Sequence, residues 1–193
     1  MSLREPLQMI GSLILSHFQA SSSAPPYALY VYEPEDEFAV RREMQDLRAY
    51  LTANGVNVAA VSLAQVFWDA VIDSGFYNNI VDAERDNPND PWVLRQVRES
   101  LHEILNEPPT LADRVIAAVD EKSERTAVLL YRAGSLYPVF RTSALLDDLR
   151  DRLRRPVVLL YPGHTVDPFG LRFMGRCEPI HSYRAKIFQR SAL

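Results

Sequence analysis

Four carboxylates follow the first apolar segment closely enough to bind a divalent cation. Glu33, Glu35, Asp36 and Glu37 come directly after residues 27–32, which are rich in tyrosine and valine. Oxygen ligands of this kind bind magnesium, so a metal-dependent hydrolase or nuclease is one hypothesis. Acidic residues just before a helix also complement the positive end of its dipole. We favour this second interpretation and predict no metal site.

The same loop argues against a phosphate-binding loop. Such a loop needs glycines, whose backbone N–H groups surround the phosphates, and a lysine that reaches them. Here carboxylates repel phosphate and Pro34 lacks an amide donor, while the only lysines, Lys122 and Lys186, do not follow a glycine. A G-x-G-x-x-G dinucleotide motif is also missing. We therefore name no cofactor.

The single cysteine, Cys177, could act as a nucleophile with His164 or His181 as its base. A lone cysteine in a strand-rich tail is more often a small apolar filler. The histidines also lack the spacing of a zinc site. We predict no catalytic residue. Because one cysteine cannot form an internal disulfide, a reducing compartment is favoured, and we predict a cytoplasmic protein.

Charge disfavours nucleic acid as a direct partner. The net charge is −4 and the pI is about 5.6, whereas a protein that grips phosphate backbones usually carries a basic stripe. The densest basic run lies within residues 147–155, where Arg150, Arg152, Arg154 and Arg155 alternate with aspartates. We predict a salt-linked, solvated helix face there. A nucleic-acid-binding accessory protein is the alternative.

The chain of 193 residues is 47% hydrophobic, which fits one globular domain over residues 1–193. Helical spacing predicts an amphipathic helix within residues 1–20, a connector follows at 21–26, and no apolar run reaches membrane-spanning length. Further helices are predicted between the strands, including 143–153 and one that begins at Thr110 with Asp113 as its capping partner. The predicted strands are 27–32, 56–63, 126–131, 157–161 and a short one at 171–174.

Strands that are apolar on both faces and separated by helices indicate an α/β fold. We predict a mostly parallel central sheet of four to five strands flanked by helices. Tyr32, Tyr131 and Tyr161 close three of these strands and could rim a ligand crevice. The high strand propensity of tyrosine explains their positions more simply.

The tail carries the most distinctive motifs. Residues 156–163 read Pro-Val-Val-Leu-Leu-Tyr-Pro-Gly, residues 171–175 read Leu-Arg-Phe-Met-Gly, and residues 183–185 read Tyr-Arg-Ala. This order resembles the BrxB family of bacteriophage-exclusion (BREX) systems: a strand ending in Tyr-Pro-Gly, a Leu-x-x-Phe-Gly-like segment and a closing Tyr-Tyr-Arg-Ala. Ser182 replaces the first tyrosine of the last motif, and Met174 stands where an aromatic residue is common.

The resemblance implies a small component of a multi-gene antiphage system that also contains a PglZ-like protein of the alkaline-phosphatase superfamily, an ATPase and a DNA methyltransferase. It implies no enzymatic activity. It implies a non-catalytic adaptor or assembly subunit, with the PglZ-like protein as the expected partner. A homo-oligomer is compatible with it. The implied fold is similar to a degenerate P-loop-type or Rossmann-like layer fold.

The motif residues have both a structural and a binding interpretation. Proline fixes φ and glycine permits positive φ, so the Tyr-Pro-Gly-His segment is predicted to turn sharply at the strand end. Tyrosine and arginine are typical interface hot spots, although Arg184 could instead pair with the acidic loop. The candidate interaction or family-motif residues are Tyr161, Pro162, Gly163, Arg172, Gly175, Tyr183 and Arg184.

Overall fold

The computed structural model describes residues 3–20, 24–166, 170–180 and 183–190. Ser21 to Ser23 of the predicted connector and Ser182 lie outside these ranges. The helices are α1 (Glu5–Gln19), α2 (Glu37–Ala53), α3 (Leu63–Asp73), α4 (Tyr77–Asp86), α5 (Pro91–Asn106), α6 (Leu111–Asp120) and α7 (Thr142–Arg150). The strands are β1 (Tyr27–Tyr32), β2 (Asn57–Ser62), β3 (Thr126–Tyr131), β4 (Val157–Val166), β5 (Gly170–Phe173) and β6 (Lys186–Gln189).

The central sheet has the strand order β2-β3-β4-β1-β6, and all of these neighbours are parallel. β5 is antiparallel to the far end of β4. The predicted α/β class and mostly parallel sheet are confirmed. The described residues form six strands rather than four to five, because β6 pairs with β1 through its backbone. Its sequence, Lys-Ile-Phe-Gln, lacks the apolar character of a central strand, so the pattern did not reveal it.

Each face of the sheet has its own apolar core. Leu29 of β1 and Leu159 of β4 lie on the face covered by α3, α5, α6 and α7. Their neighbours Tyr30 and Leu160 point to the opposite face, which α1 and α2 cover. Since alternate residues of a strand point to opposite faces, this burial on both faces explains why the central strands are continuously apolar.

The predicted N-terminal amphipathic helix is confirmed as α1. Its buried side chains, Leu7, Ile10 and Ile14, follow helical spacing. Gly11 lets α1 approach α2 closely, since a Cβ there would lie 2.8 Å from a ring carbon of Tyr50. Among the residues that the structure describes, no helix is long and apolar enough to cross a membrane.

The predicted cap at the start of α6 is confirmed as a reciprocal capping box. The Asp113 backbone N–H donates to the Thr110 hydroxyl, and the Thr110 backbone N–H donates to the Asp113 carboxylate at 2.7 Å. Hydrogen bonds from Arg152 and Thr110 lower the pKa of Asp113 to about 2. These bonds hold the start of α6 next to the turn that follows α7.

The predicted salt-linked helix face around the basic run is wrong, because α7 ends at Arg150. The Arg150 guanidinium donates to the carbonyl oxygen of Arg184. Arg152 pairs with Asp113, and Arg155 donates to two carbonyl oxygens at the end of α6, at 2.6 and 2.8 Å. These arginines therefore tie the turn after α7 to neighbouring elements.

Candidate functional site

The Tyr-Pro-Gly motif lies inside β4, so the predicted sharp turn is wrong. Up to Pro162 the strand runs parallel to β1, and from Gly163 it pairs antiparallel with β5. The Pro162 carbonyl accepts a hydrogen bond of 2.8 Å from the Met174 backbone N–H. Proline has no N–H group to donate to the hydrogen bonds between strands. Pro162 lies where the pairing partner of β4 changes from β1 to β5.

Two glycines of the motifs serve the backbone. A Cβ on Gly163 would lie 2.2 Å from the Arg172 carbonyl oxygen and 2.9 Å from the Tyr161 ring. No side chain fits there. Gly175 has φ +65° in the turn after β5, a conformation that glycine adopts without steric cost. Both residues therefore have structural roles.

Tyr161 and Tyr183 form an aromatic cluster in the core. Tyr161 is fully buried, and its ring centroid lies 5.2 Å from that of Phe173 and 5.6 Å from that of Tyr183. The Tyr183 hydroxyl forms a 2.9 Å hydrogen bond with the Thr142 hydroxyl. Burial raises the pKa of both Tyr161 and Tyr183. Since Tyr32 is also buried, neither it nor Tyr161 rims a ligand crevice.

Two polar atoms in this region lack hydrogen-bond partners among the described residues. They are the Tyr161 hydroxyl and Arg172 Nε, both fully enclosed. Close to the aromatic cluster lies a cavity of about 310 Å³, bordered by Arg141, Cys177 and Tyr183. Tyr161 is not one of its lining residues. Burial, and after it the neighbouring Tyr183 hydroxyl, raise the pKa of Tyr161.

Arg184 differs from the other motif residues because it is exposed. The alternative that it pairs with the acidic loop is wrong. Arg190 occupies that position: its guanidinium lies 2.5 Å from Asp36 and 3.0 Å from Glu43 of α2. The Tyr30 hydroxyl donates a further hydrogen bond to Glu43 at 2.7 Å. The acidic loop is thus tied to the end of β6.

A second carboxylate of the loop is also occupied. Glu37 accepts a hydrogen bond from the Tyr32 hydroxyl at 2.5 Å and from Arg41 at 3.0 Å. Glu33 and Glu35 are exposed. Among the described residues, no group of three or more His, Cys, Asp or Glu side chains is placed to hold a metal ion.

Sequence reasoning missed Arg190 and Glu43. Glu43 stands within the buried stripe of α2, between Val40 and Leu47 at helical spacing. A charged residue at a core position of an amphipathic helix needs a buried partner. That irregularity was the available signal, but it could not identify Arg190, which lies 147 positions further along the chain.

Cys177 has no environment that activates a thiol. It is half-buried, and burial raises its pKa. Reactive cysteines instead have a lowered pKa that favours the thiolate. His164 is also half-buried, and His181 lies outside the described residues. The prediction that the chain has no cysteine nucleophile stays a prediction, with this environment in its favour.

The most unusual surface feature lies on α3 and α4. Trp68, Ile72 and Phe76 are 49%, 59% and 58% exposed, and Tyr77 and Val81 are also solvent-facing. We call these five residues the α3–α4 patch. α4 has no fully buried residue. Sequence analysis missed the patch because apolar residues at helical spacing usually face the core.

Comparison with known proteins places these features in a family. The profile of the family described as BREX protein BrxB matches residues 59–188, a range that includes the α3–α4 patch and the tail motifs. A relative from Bacillus cereus (strain H3081.97), also named BREX protein BrxB, is 22% identical over 162 residues, covering 82% of this chain and 81% of the relative. No solved structure matches.

The match of the family profile to more than half of the chain confirms the resemblance in the tail motifs. Those motifs lie at the change of strand partner in β4 and in the adjoining aromatic cluster. The role of this protein lies in BREX antiphage defence, and the chain belongs to the BrxB family.

Proposed function

We propose that this protein is a non-catalytic adaptor or assembly subunit of a BREX system, and that it binds a PglZ-like protein of the alkaline-phosphatase superfamily. Its task is to hold other BREX proteins together by direct protein contact. Family membership supports the system. The surface and the interior of the chain support the adaptor role.

The observation that carries the proposal is the exposed apolar surface of α3 and α4. Large contiguous apolar patches are rare on proteins that act alone, and they mark interaction sites. Aromatic side chains such as Trp68 and Tyr77 are enriched among the residues that dominate binding energy. An adaptor needs such a surface, whereas an enzyme needs a cleft with convergent polar groups.

The interior supports the absence of catalysis. Asp36, Glu37 and Glu43 are committed to arginine and tyrosine partners within the fold. A carboxylate held by a guanidinium is poorly placed to bind a metal ion or to activate water. Arg150, Arg152 and Arg155 of the basic run are similarly occupied, so they offer little to a nucleic-acid backbone.

The test is affinity purification of the tagged chain from cells that express its complete native gene neighbourhood. We expect the PglZ-like protein to be recovered in stoichiometric amount, identified by mass spectrometry. A matched strain that lacks only the gene for the PglZ-like protein controls for indirect capture. Recovery of the chain alone, while the PglZ-like protein is expressed and soluble, would overturn the proposal.

A further inference from the structure

We infer that the α3–α4 patch is the docking site for another BREX protein, and that the docked surface is apolar at its centre and basic at its rim. This inference rests on the proposed adaptor function and deepens it. It names the part of this chain that makes the contact and the chemistry of the surface that it receives.

The patch residues form one continuous surface. Trp68 and Ile72 are four positions apart on α3, and Tyr77 and Val81 are four apart on α4, so each pair lies on one helix face. The two helices meet where the Trp68 and Tyr77 rings pack edge to face, with centroids 6.4 Å apart. Phe76 adjoins Tyr77 in the turn between the helices. The surface therefore crosses both helices without interruption.

α4 is held weakly by the rest of the chain. It has ten residues and none is fully buried, although Ile80 packs against the core edge. A helix of this length is marginal in water unless tertiary packing supports it. Its outward Tyr77 and Val81 would gain burial against a partner. Docking would thus stabilise a helix that the fold alone supports little.

The charges around the patch select the partner. From Trp68 through Asp90 the chain carries six carboxylates, one arginine and no lysine. Arg114 pairs with Asp73, and Arg95 and Arg98 of α5 border the same cavity as Glu84, so carboxylates exceed arginines around the patch by six to four. Arg85 already pairs with Asp82 at 2.8 Å. Asp69 and Glu84 are exposed and form no ion pair among the described residues. An acidic rim favours a partner whose rim carries lysine and arginine.

The same charges disfavour the other occupants of an apolar surface. A second copy would meet this patch across a two-fold axis, which places acidic rim against acidic rim. Like charges across an interface oppose association. A membrane surface rich in anionic lipids would be repelled for the same reason. A protein with a basic rim satisfies both the apolar centre and the charge.

A photoreactive phenylalanine derivative at Tyr77 tests the inference in cells that express the complete BREX locus. Phe38 on α2 is the matched control site, since it is aromatic and 72% exposed but lies away from the patch. We expect the Tyr77 position to cross-link to another BREX protein, at an apolar segment of its surface that lysine and arginine residues flank. The Phe38 position should give little product. Cross-linking to a second copy, or equal products at both sites, would overturn the inference.

Substitutions separate this inference from the adaptor proposal. Ile72→Ser with Val81→Ser should reduce recovery of the partner about tenfold or more, whereas Phe38→Ser should leave it unchanged. If these variants recover as much partner as the unchanged chain, the patch inference fails and the adaptor proposal stands. If the unchanged chain recovers no BREX protein, the adaptor proposal itself fails, and the inference fails with it.

Charge reversal tests the basic rim directly. Asp69→Lys with Glu84→Lys should weaken recovery several-fold, and added salt should weaken the unchanged complex. Glu121→Lys with Glu124→Lys makes the same charge change at exposed positions after α6 and should have little effect. Equal loss in both double variants, or no loss in either, would contradict the predicted partner chemistry. Circular dichroism establishes that each variant is folded.

Discussion

The Arg190 guanidinium lies 3.0 Å from the Glu43 carboxylate, and both side chains are enclosed, with 5% and 10% exposure. This pair joins the end of β6 to the buried face of α2. Asp36 and Tyr30 complete the network through bonds of 2.5 and 2.7 Å. The acidic loop that resembles a metal site thus helps to hold the end of β6 against α2 and β1.

We predict that Arg190→Ala lowers the free energy of unfolding by about 1.5–3 kcal/mol, because it removes the hydrogen bonds of the guanidinium to the enclosed Glu43 carboxylate. Glu43 keeps its ion pair with Arg4 and its hydrogen bond from Tyr30. Arg41→Ala removes the more exposed pair with Glu37 and should cost less than about 1 kcal/mol. Urea unfolding followed by circular dichroism measures both. Similar small losses in the two variants would show that the enclosed pair does not hold β6 in place.

The aromatic cluster offers a contrast between two tyrosines. Tyr161→Phe removes a buried hydroxyl that lies beside the Tyr183 hydroxyl but forms no well-aligned hydrogen bond among the described residues, so stability should change by less than about 1 kcal/mol. Tyr183→Phe breaks the hydrogen bond with Thr142 and should cost about 1–2 kcal/mol. Thermal unfolding of the two variants decides the point. A larger loss for Tyr161→Phe would mean that its hydroxyl has a partner.

Gly163→Ala should destabilise the chain by more than about 3 kcal/mol, because its Cβ would overlap the Arg172 carbonyl oxygen and force β4 and β5 apart. Gly55→Ala is the matched control. It also replaces a glycine at positive φ, +74°, but its Cβ meets nothing within 4 Å, so the cost should be about 1 kcal/mol. Equal costs would mean that backbone conformation, not close approach, is what requires Gly163.

The buried tyrosines predict a loss of stability at high pH. Burial raises the pKa of Tyr27 to about 12, and it also raises the pKa of Tyr30, Tyr32, Tyr161 and Tyr183 above 10.0, the ordinary value. Their protonated forms therefore stabilise the folded state fully below pH 10, and that stability is lost as the pH rises through the raised values. Tyrosinate absorbance should show that these five tyrosines ionise only as the protein unfolds. A single reversible titration of all tyrosines near pH 10 would contradict this.

Titration with manganese tests the metal-dependent alternative. We expect the unchanged chain and Glu35→Ala to give the same heat in calorimetry, because Asp36 and Glu37 are held by internal partners. Glu35 is the variant of choice since it is exposed and takes no part in the Arg190 network. A saturable heat that disappears in Glu35→Ala would restore the hydrolase hypothesis.

The central strands could be predicted because β-branched and apolar residues fill them and both of their faces are buried. The capping box at Thr110 and Asp113 was also predictable, since its two members are three positions apart. β6 could not be predicted, because its sequence from Lys186 to Gln189 lacks the apolar character of a central strand. Its pairing with β1 depends on backbone groups, which every sequence carries. The partner change at Pro162 was equally hidden, since the same residues are typical of a turn.

The candidate sites were harder to predict than the fold. The link between Glu43 and Arg190 depends on the close approach of distant parts of the chain. Trp68 is four positions before Ile72, and Tyr77 is four positions before Val81, a spacing that normally marks the core face of a helix. Only their exposure on the outside of α3 and α4 identifies a surface patch. The family was recognisable from the tail, although most of those motif residues support the fold itself.

The most direct test of the adaptor account is to mix the purified chain with the purified PglZ-like protein of its own locus and to measure the mass of the product by light scattering during gel filtration. We expect one species that contains both proteins. Its mass should exceed that of the PglZ-like protein by 22.0 kDa for each bound copy of this chain. Separate elution of the two soluble proteins at concentrations well above those in the cell would contradict it.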